Sequence, residues 1–454
     1  MADHSSLLAV TPLDGRYSAQ MQALSQIASE FGLMKRRLAV EIAWFSMLGS
    51  GLLDDFPALS EEDRGYLKQL VESFSVEQAE EIKDIEKTTN HDVKAVEIWL
   101  RRKLDNHSTL KSKLEFIHFG ITSEDVNNIA YALQVRDSKQ EVLKPAMDAI
   151  STQLHTTANE YAAIPMLSRT HGQPATPTTL GKELRVFQHR LERGISRLED
   201  VVMLAKFNGA TGNYNALTIA YPEIDWPSVT AQLIEAFGFS QNAFTTQIES
   251  HDWLASYCSE LALINTILTD LARDIWLYIS FGYFTQELKK DEVGSSTMPH
   301  KINPINFENA EANFGVSNAL LTYLAGKLPI SRLQRDLSDS SSLRSLSEAI
   351  GHCYIGLQSL LTGLGRIKAD PQKIALDLEQ EWSVLTEAVQ TIMRRYGTES
   401  AYDKIKAASR GKVLDHDSYT TLVESLDLPA TDKQFLLNLT PQTYIGYASK
   451  LASK

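Results

Sequence analysis

Residues 254–278 read LASYCSELALINTILTDLARDIWLY. Within them Leu254, Tyr257, Leu261, Ile264, Leu268, Leu271, Ile275 and Tyr278 recur in alternating steps of three and four, the spacing that lines side chains along one face of an α-helix. Sustained over more than three heptads, such a seam belongs to a helix that packs along its length against other helices. From Phe239 to Phe281 there is neither Gly nor Pro, so the sequence predicts one very long helix across that span. It could be an internal core helix or a subunit contact, and its length favours assembly.

Similar periodicity runs through 141–162, 178–207 and 306–327. Long helices in succession, with few and short strand signals between them, imply a mainly α protein built on a helical bundle. Breaks in the pattern suggest an N-terminal helical domain over 1–110, a long-helix middle over 111–365 and a C-terminal helical domain over 366–454.

Composition narrows the function. With 454 residues the chain is long enough for roughly three domains, and 43% hydrophobic against 22% charged residues is ordinary for a globular protein. A net charge of -13 opposes general attraction to nucleic acid or to an anionic membrane, so an anionic ligand would need locally concentrated positive charge. The two cysteines, Cys258 and Cys353, lie far apart in apolar helical patterns, which supports neither a disulfide framework nor a Cys-rich metal site and fits a reducing cytoplasm. The N-terminus lacks the basic and apolar regions of a signal peptide, and no apolar run approaches a membrane span.

Polar chemistry collects where the helices break. In FIHFGITSEDVNN (116–128), Thr122 and Asp125 have capping-box spacing, so a helix should begin near Ser123. Its free N–H groups and the Thr122 and Ser123 hydroxyls could serve an anion, or simply cap the helix. In LSRTHGQPATPTTLGKE (167–183), His171 sits in a proline-flanked loop; it could be an ordinary surface residue or a proton-transfer group, since histidine is suited to that near neutral pH. SRLQRDLSDSSSLRS (331–345) offers Arg332, Arg335, Arg344 and a hydroxyl run, either a solvated helix end or arginine forks for carboxylate or phosphate. EVGSSTMPHKINP (292–304) packs hydroxyls, an amine and an amide around Gly294. It lacks the second glycine of a phosphate-binding P-loop, the chain has no G-x-S-x-G elbow, and the histidines lack zinc-ligand spacing.

Taken together, these segments resemble a known family. GSSTMPHKINP is similar to the G-S-S-x-M-P-x-K-x-N-P loop of the fumarase, aspartase and argininosuccinate lyase superfamily, while TTNHDVKAVE (88–97) and SRTHGQPATPTTLGKE resemble its adenylosuccinate lyase branch, of bacterial type. The likeness runs from DGRY near residue 14 to the Arg–Ser segment near 345. It implies a three-domain fumarase/aspartase-like fold whose central helices assemble into a homotetramer core, with each site shared between subunits. It further implies a C–N lyase that eliminates fumarate from adenylosuccinate and SAICAR, small purine-pathway substrates, without cofactor or metal, in the cytoplasm. Another fumarate-releasing lyase, such as argininosuccinate lyase, or an inactive helical assembly protein are the alternatives.

The resemblance also implies roles. Ser295 is the general base, His171 the acid that protonates the departing nitrogen, and Glu308 the carboxylate that orients it. Lys301 and Asn303 stabilise the carbanion, and Ser296 holds substrate carboxylates. Ile302 falls inside this binding run where many relatives carry Arg, and its side chain is given no role. Arg16 and Tyr17, then Asn90, His91 and Asp92, then His118, Thr122 and Ser123, are carried over as binding residues. Gln247, Asn309, Arg335 and the Ser340, Ser341, Ser342, Leu343 and Arg344 turn complete the set.

Overall fold

The computed structural model describes residues 6–287, 297–298, 300–411 and 414–454. Helices dominate, and the strands among the described residues form three two-stranded sheets. Along the seam, Leu254, Tyr257, Leu261, Ile264, Leu268, Leu271 and Ile275 are all buried, and Tyr278 is half-buried. The helix that carries them is Asp252–Ser280, which starts later than the sequence predicts. Residues 239–251 contain instead a strand, Ser240–Gln241, paired in parallel with Leu204–Ala205. Lack of Gly and Pro does not make a helix there, because Ser, Asn and Thr side chains compete for the backbone. The Asn242 side chain accepts from the Phe244 N–H at 3.3 Å, and His251 then takes a left-handed φ of 62° that no helix can absorb.

The other expected long helices are present as Lys144–Glu160, Leu180–Glu199 and Ile305–Lys327, and Leu346–Leu364 joins them. The second, predicted over 178–207, already ends at Glu199. A π-helical turn, Ser138–Leu143, leads from the Ser123–Asp137 helix into Lys144–Glu160.

Contacts divide the chain into two compact units, each discontinuous in sequence: 1–146 with 194–266 and 313–356, and 147–193 with 267–312 and 357–454. The first has a polar rung inside its apolar packing. Asn265, fully buried, donates to Ser317 Oγ and Asn318 Oδ1 at 3.0 Å each and accepts from Cys353 Sγ at 3.1 Å. A satisfied buried amide of this kind fixes which faces of three helices meet. Burial pushes both Cys258 and Cys353 up to about 12, so neither is a reactive thiolate at neutral pH.

In the second unit the helix Leu180–Glu199 approaches its neighbour closely. A Cβ on Gly181 would lie 2.2 Å from the Ala158 carbonyl oxygen, so only glycine permits that crossing. The C-terminal helices of this unit have their own core, in which Leu385, Val389, Tyr419, Val423 and Leu436 pack with Leu167. No helix among the described residues is long and apolar enough to cross a membrane.

Candidate active site

In the first unit the expected binding residues sit where helices start and stop. Asn90 ends the helix Val76–Thr89 with a left-handed φ of 51°, a conformation that asparagine tolerates. His91 is the N-cap of Asp92–Asp105, its Nδ1 accepting from the Lys94 N–H at 3.1 Å. The buried Arg37 donates to Asp92 at 2.7 Å and to Asn127 at 2.8 Å. Burial opposes charge on Asp92, but the Arg37 guanidinium and the Val93 N–H outweigh it and hold the carboxyl below its ordinary value.

The helix expected at Ser123 begins there, and Asp125 completes its capping box by accepting from the Thr122 N–H at 2.9 Å. Asp125 does more than cap. It is fully buried against Lys206, Nζ to Oδ1 2.9 Å, with neither side chain exposed. It also accepts from the N–H groups of Asn208 and Gly209, each at 3.1 Å. Lys206 Nζ in turn donates to the carbonyls of Gly209 at 2.9 Å and Gln247 at 2.7 Å. One buried ion pair thus joins Thr122 to the backbone of Gln247. The Gln247 side chain accepts from Arg335 Nη1 at 3.1 Å.

His118, at a left-handed φ of 56°, holds Glu41 through Nδ1 at 2.6 Å. Burial disfavours its charge, but the hydrogen bond and charge of Glu41, with Glu97 and Asp125 behind, outweigh this and raise its pKa above 6.5. A raised folded-state pKa means that folding favours the protonated form. The resulting stabilisation is complete below the unfolded value of 6.5 and is lost as pH rises through the folded value. Denaturation midpoints of the parent and His118→Gln chains, followed across that range, should therefore converge on the alkaline side. A gap that does not change with pH would contradict the charged pair.

A cavity of about 470 Å³ in this unit is lined by Asp92, Leu343 and Arg344 from the expected set, together with Arg37, Tyr131 and Gln134. The Ser340–Arg344 segment is no turn for most of its length, since Ser338–Leu343 is a short helix. Ser342 and Leu343 face inward, with Ser342 Oγ 3.0 Å from the Tyr323 hydroxyl, while Ser341 and Arg344 are exposed. Arg16 is exposed and Tyr17 half-buried, in the turn before Ser18–Gln20.

In the second unit, His171 occupies the tip of a hairpin formed by Pro165–Thr170 and Gln173–Thr179, where the sequence suggested only a loop. His171 and Gly172 form its two-residue turn with φ of 53° and 73°, the doubly left-handed geometry of tight hairpins. The imidazole is exposed. Lys301 and Ile302 are exposed ahead of Ile305–Lys327. On that helix Glu308 accepts from Trp276 Nε1 at 3.1 Å, and Asn309 Oδ1 accepts from Ser359 Oγ at 2.8 Å. Among the described residues no hydrogen bond joins Glu308 to His171. Asn303 is half-buried. Ser295 and Ser296, with Gly294, lie outside the described residues.

Sequence reading overlooked Lys206, Arg37 and Glu41, which touch expected site residues from behind. The available signal was FNGATGNYNA (207–216) after Lys206, whose Gly209 and Gly212 both have positive φ.

Residues 15–316 match the lyase family, and residues 331–445 match the adenylosuccinate lyase C-terminal family. Adenylosuccinate lyase of Legionella pneumophila (strain Corby) is 47% identical over 448 residues, 98% of either chain. The chain belongs to the adenylosuccinate lyase family. The adenylosuccinate lyase of Escherichia coli (strain K12) is 46% identical over 445 residues, again 98% of each chain. Two solved structures share the fold at low identity. Fumarate lyase from Mesorhizobium sp. BNC1 superposes with a TM-score of 0.77 at 19% identity, covering 94% of this chain and 96% of that one. The 3-carboxy-cis,cis-muconate lactonizing enzyme from Pseudomonas putida gives 0.77 at 21%, with 95% of each covered. The mainly α fold expected from the heptad seam is therefore that of the adenylosuccinate lyase family and its fumarate lyase neighbours.

Proposed function

We propose that this chain catalyses the β-elimination of fumarate from adenylosuccinate to give AMP, and from SAICAR to give AICAR, in purine nucleotide biosynthesis. The observation that carries this is identity close to half, over nearly the whole length, with adenylosuccinate lyases. A base takes the proton from the carbon beside a substrate carboxylate, and the electron pair left behind delocalises into that carboxylate. The C–N bond then breaks as an acid delivers a proton to the departing nitrogen. The extra negative charge of the intermediate is the main barrier, and fixed cationic and N–H donors lower it.

In this reading Ser295 is the base, Lys301 and Asn303 meet the developing charge, and His171 is the acid. The hairpin supports the last role, because its exposed tip presents the imidazole away from the strands that hold it. Glu308, exposed on a different element, would orient a His171 supplied by another copy of the chain. Arg344, exposed at the end of its short helix, suits the anionic end of the nucleotide. Arg16, Tyr17, Asn90, His91, Asp92, Thr122, Ser123 and Gln247 complete the binding surface.

The shared site implies a homotetramer. Leu263, Trp276 and Leu277 on the seam helix, with Val316 and Tyr323 on Ile305–Lys327, are apolar residues at 40% exposure or more, the kind of surface that a second copy would cover. The cytoplasm is the proposed compartment.

Incubating the purified chain with adenylosuccinate and following fumarate and AMP, with argininosuccinate in parallel, tests the reading. Prompt release from adenylosuccinate alone is expected. Turnover of argininosuccinate instead would move the chain to the neighbouring lyase activity, and no release from either would overturn the assignment.

A further inference from the structure

Behind the binding segments of the first unit lie three titratable groups that the elimination does not use. Glu124, His251 and Asp339 each expose less than a twentieth of their surface. One ligand-capable atom from each lies within 4.8 Å of the others. Glu124 Oε1, His251 Nε2 and Asp339 Oδ2 all lack a hydrogen-bond partner, although an unpaired buried polar atom ordinarily costs about 1–3 kcal/mol.

Each residue is held by a contact outside the cluster. Glu124 Oε2 takes Arg335 Nη2 at 3.1 Å, and Asp339 Oδ1 accepts from the Ser340 N–H at 2.7 Å. The backbone N–H of His251 donates to Glu249 Oε2 at 2.7 Å, at the left-handed φ of 62°, which fixes the main chain from which the imidazole projects. The outer contacts of the two carboxylates thus leave one oxygen of each free beside His251 Nε2, as outer-shell hydrogen bonds do for carboxylate ligands of a metal. His251 Nε2 lies 3.8 Å from Asp339 Oδ2, too long for a hydrogen bond but suited to two ligands on one ion. With bonds of about 2.0–2.2 Å, neighbouring ligand atoms of a tetrahedral ion stand about 3.3–3.6 Å apart, so the His251–Asp339 pair is already near that spacing and the widest pair would have to close by up to about an ångström.

We propose that Glu124, His251 and Asp339 form a binding site for one divalent cation of the zinc or manganese class. An imidazole nitrogen with two carboxylate oxygens and no thiolate suits such borderline-to-hard ions rather than soft ones. The two carboxylates supply the compensating charge, with Arg335 shared at the rim. Sequence spacing could not show this site, since its members are separated by more than eighty residues at each step.

The ion is structural. Glu124 follows Ser123, His251 lies shortly after Gln247, and Asp339 precedes Ser340, so one ion would cross-link three segments proposed to bind substrate, with no reaction step passing through it.

The test uses the full chain, stripped with a chelator and dialysed against Zn2+ or Mn2+, with bound metal measured by mass spectrometry. One ion per chain, a higher Tm with the ion than without it, and loss of that equivalent in His251→Ala are expected. In the Mn2+-loaded parent chain, pulsed electron paramagnetic resonance should show coupling to one imidazole nitrogen, a readout that holds even where a variant fails to fold. Absence of a stoichiometric ion in the parent chain, retention of it in folded His251→Ala, or no imidazole coupling would overturn the proposal. Metal content is read independently of lyase activity, so either conclusion can fail alone.

Discussion

Lys206→Met is expected to destabilise the protein by about 3–5 kcal/mol, the usual cost of removing one partner from a buried ion pair. Methionine fills much of the volume of the lysine stem, so the loss would be electrostatic rather than a cavity. Asp125 would keep its three backbone N–H donors but lose the ammonium that balances it, and the carbonyls of Gly209 and Gln247 would lose their buried donor. The shift should appear as a lowered urea midpoint. A double-mutant cycle with Asp125→Asn should show strong coupling, since both single changes break the same contact. A Lys206→Met chain within about 1 kcal/mol of the parent would mean that the pair is not structurally important.

His171→Asn should lower kcat by roughly 10²–10⁴-fold, the typical contribution of a positioned general acid, while leaving stability within about 0.5 kcal/mol. Asparagine is the informative replacement because it accepts the left-handed backbone that residue 171 adopts at φ 53°, so the hairpin turn is kept and only the imidazole is lost. Ser295→Ala should behave alike, with turnover lost and substrate binding largely retained. Near-parental turnover in either chain would remove that residue from the acid–base assignment. A parallel loss of fold in His171→Asn would place its role in the turn instead.

Much was legible along the chain because it is written in local periodicity. The eight-residue seam implied a long packed helix, and seven of its members are buried in Asp252–Ser280. Thr122 and Asp125 implied a helix start at Ser123, because a capping box is a contact between residues three apart. Where the reading overran, as at 239–251, a parallel strand partner at Leu204–Ala205 and the local bond from the Phe244 N–H to Asn242 took the backbone instead, and only the second of these is written in neighbouring residues. The hairpin at His171 was hidden for a similar reason. Its strands contain Pro165, Pro174 and Pro177, and they exist because two short edges pair with each other.

By itself, the amino-acid sequence determined the helical class, the capping of individual helices and the segments in which polar chemistry is concentrated, since each depends on spacing within a turn or two of backbone. Only the tertiary structure decided which groups stand behind those segments. Lys206 reaches Asp125 across eighty-one residues, and His251 meets Glu124 and Asp339 from two other parts of the chain. Burial removes water from such groups, so the partners that packing brings to them decide which charges and hydrogen bonds they can hold.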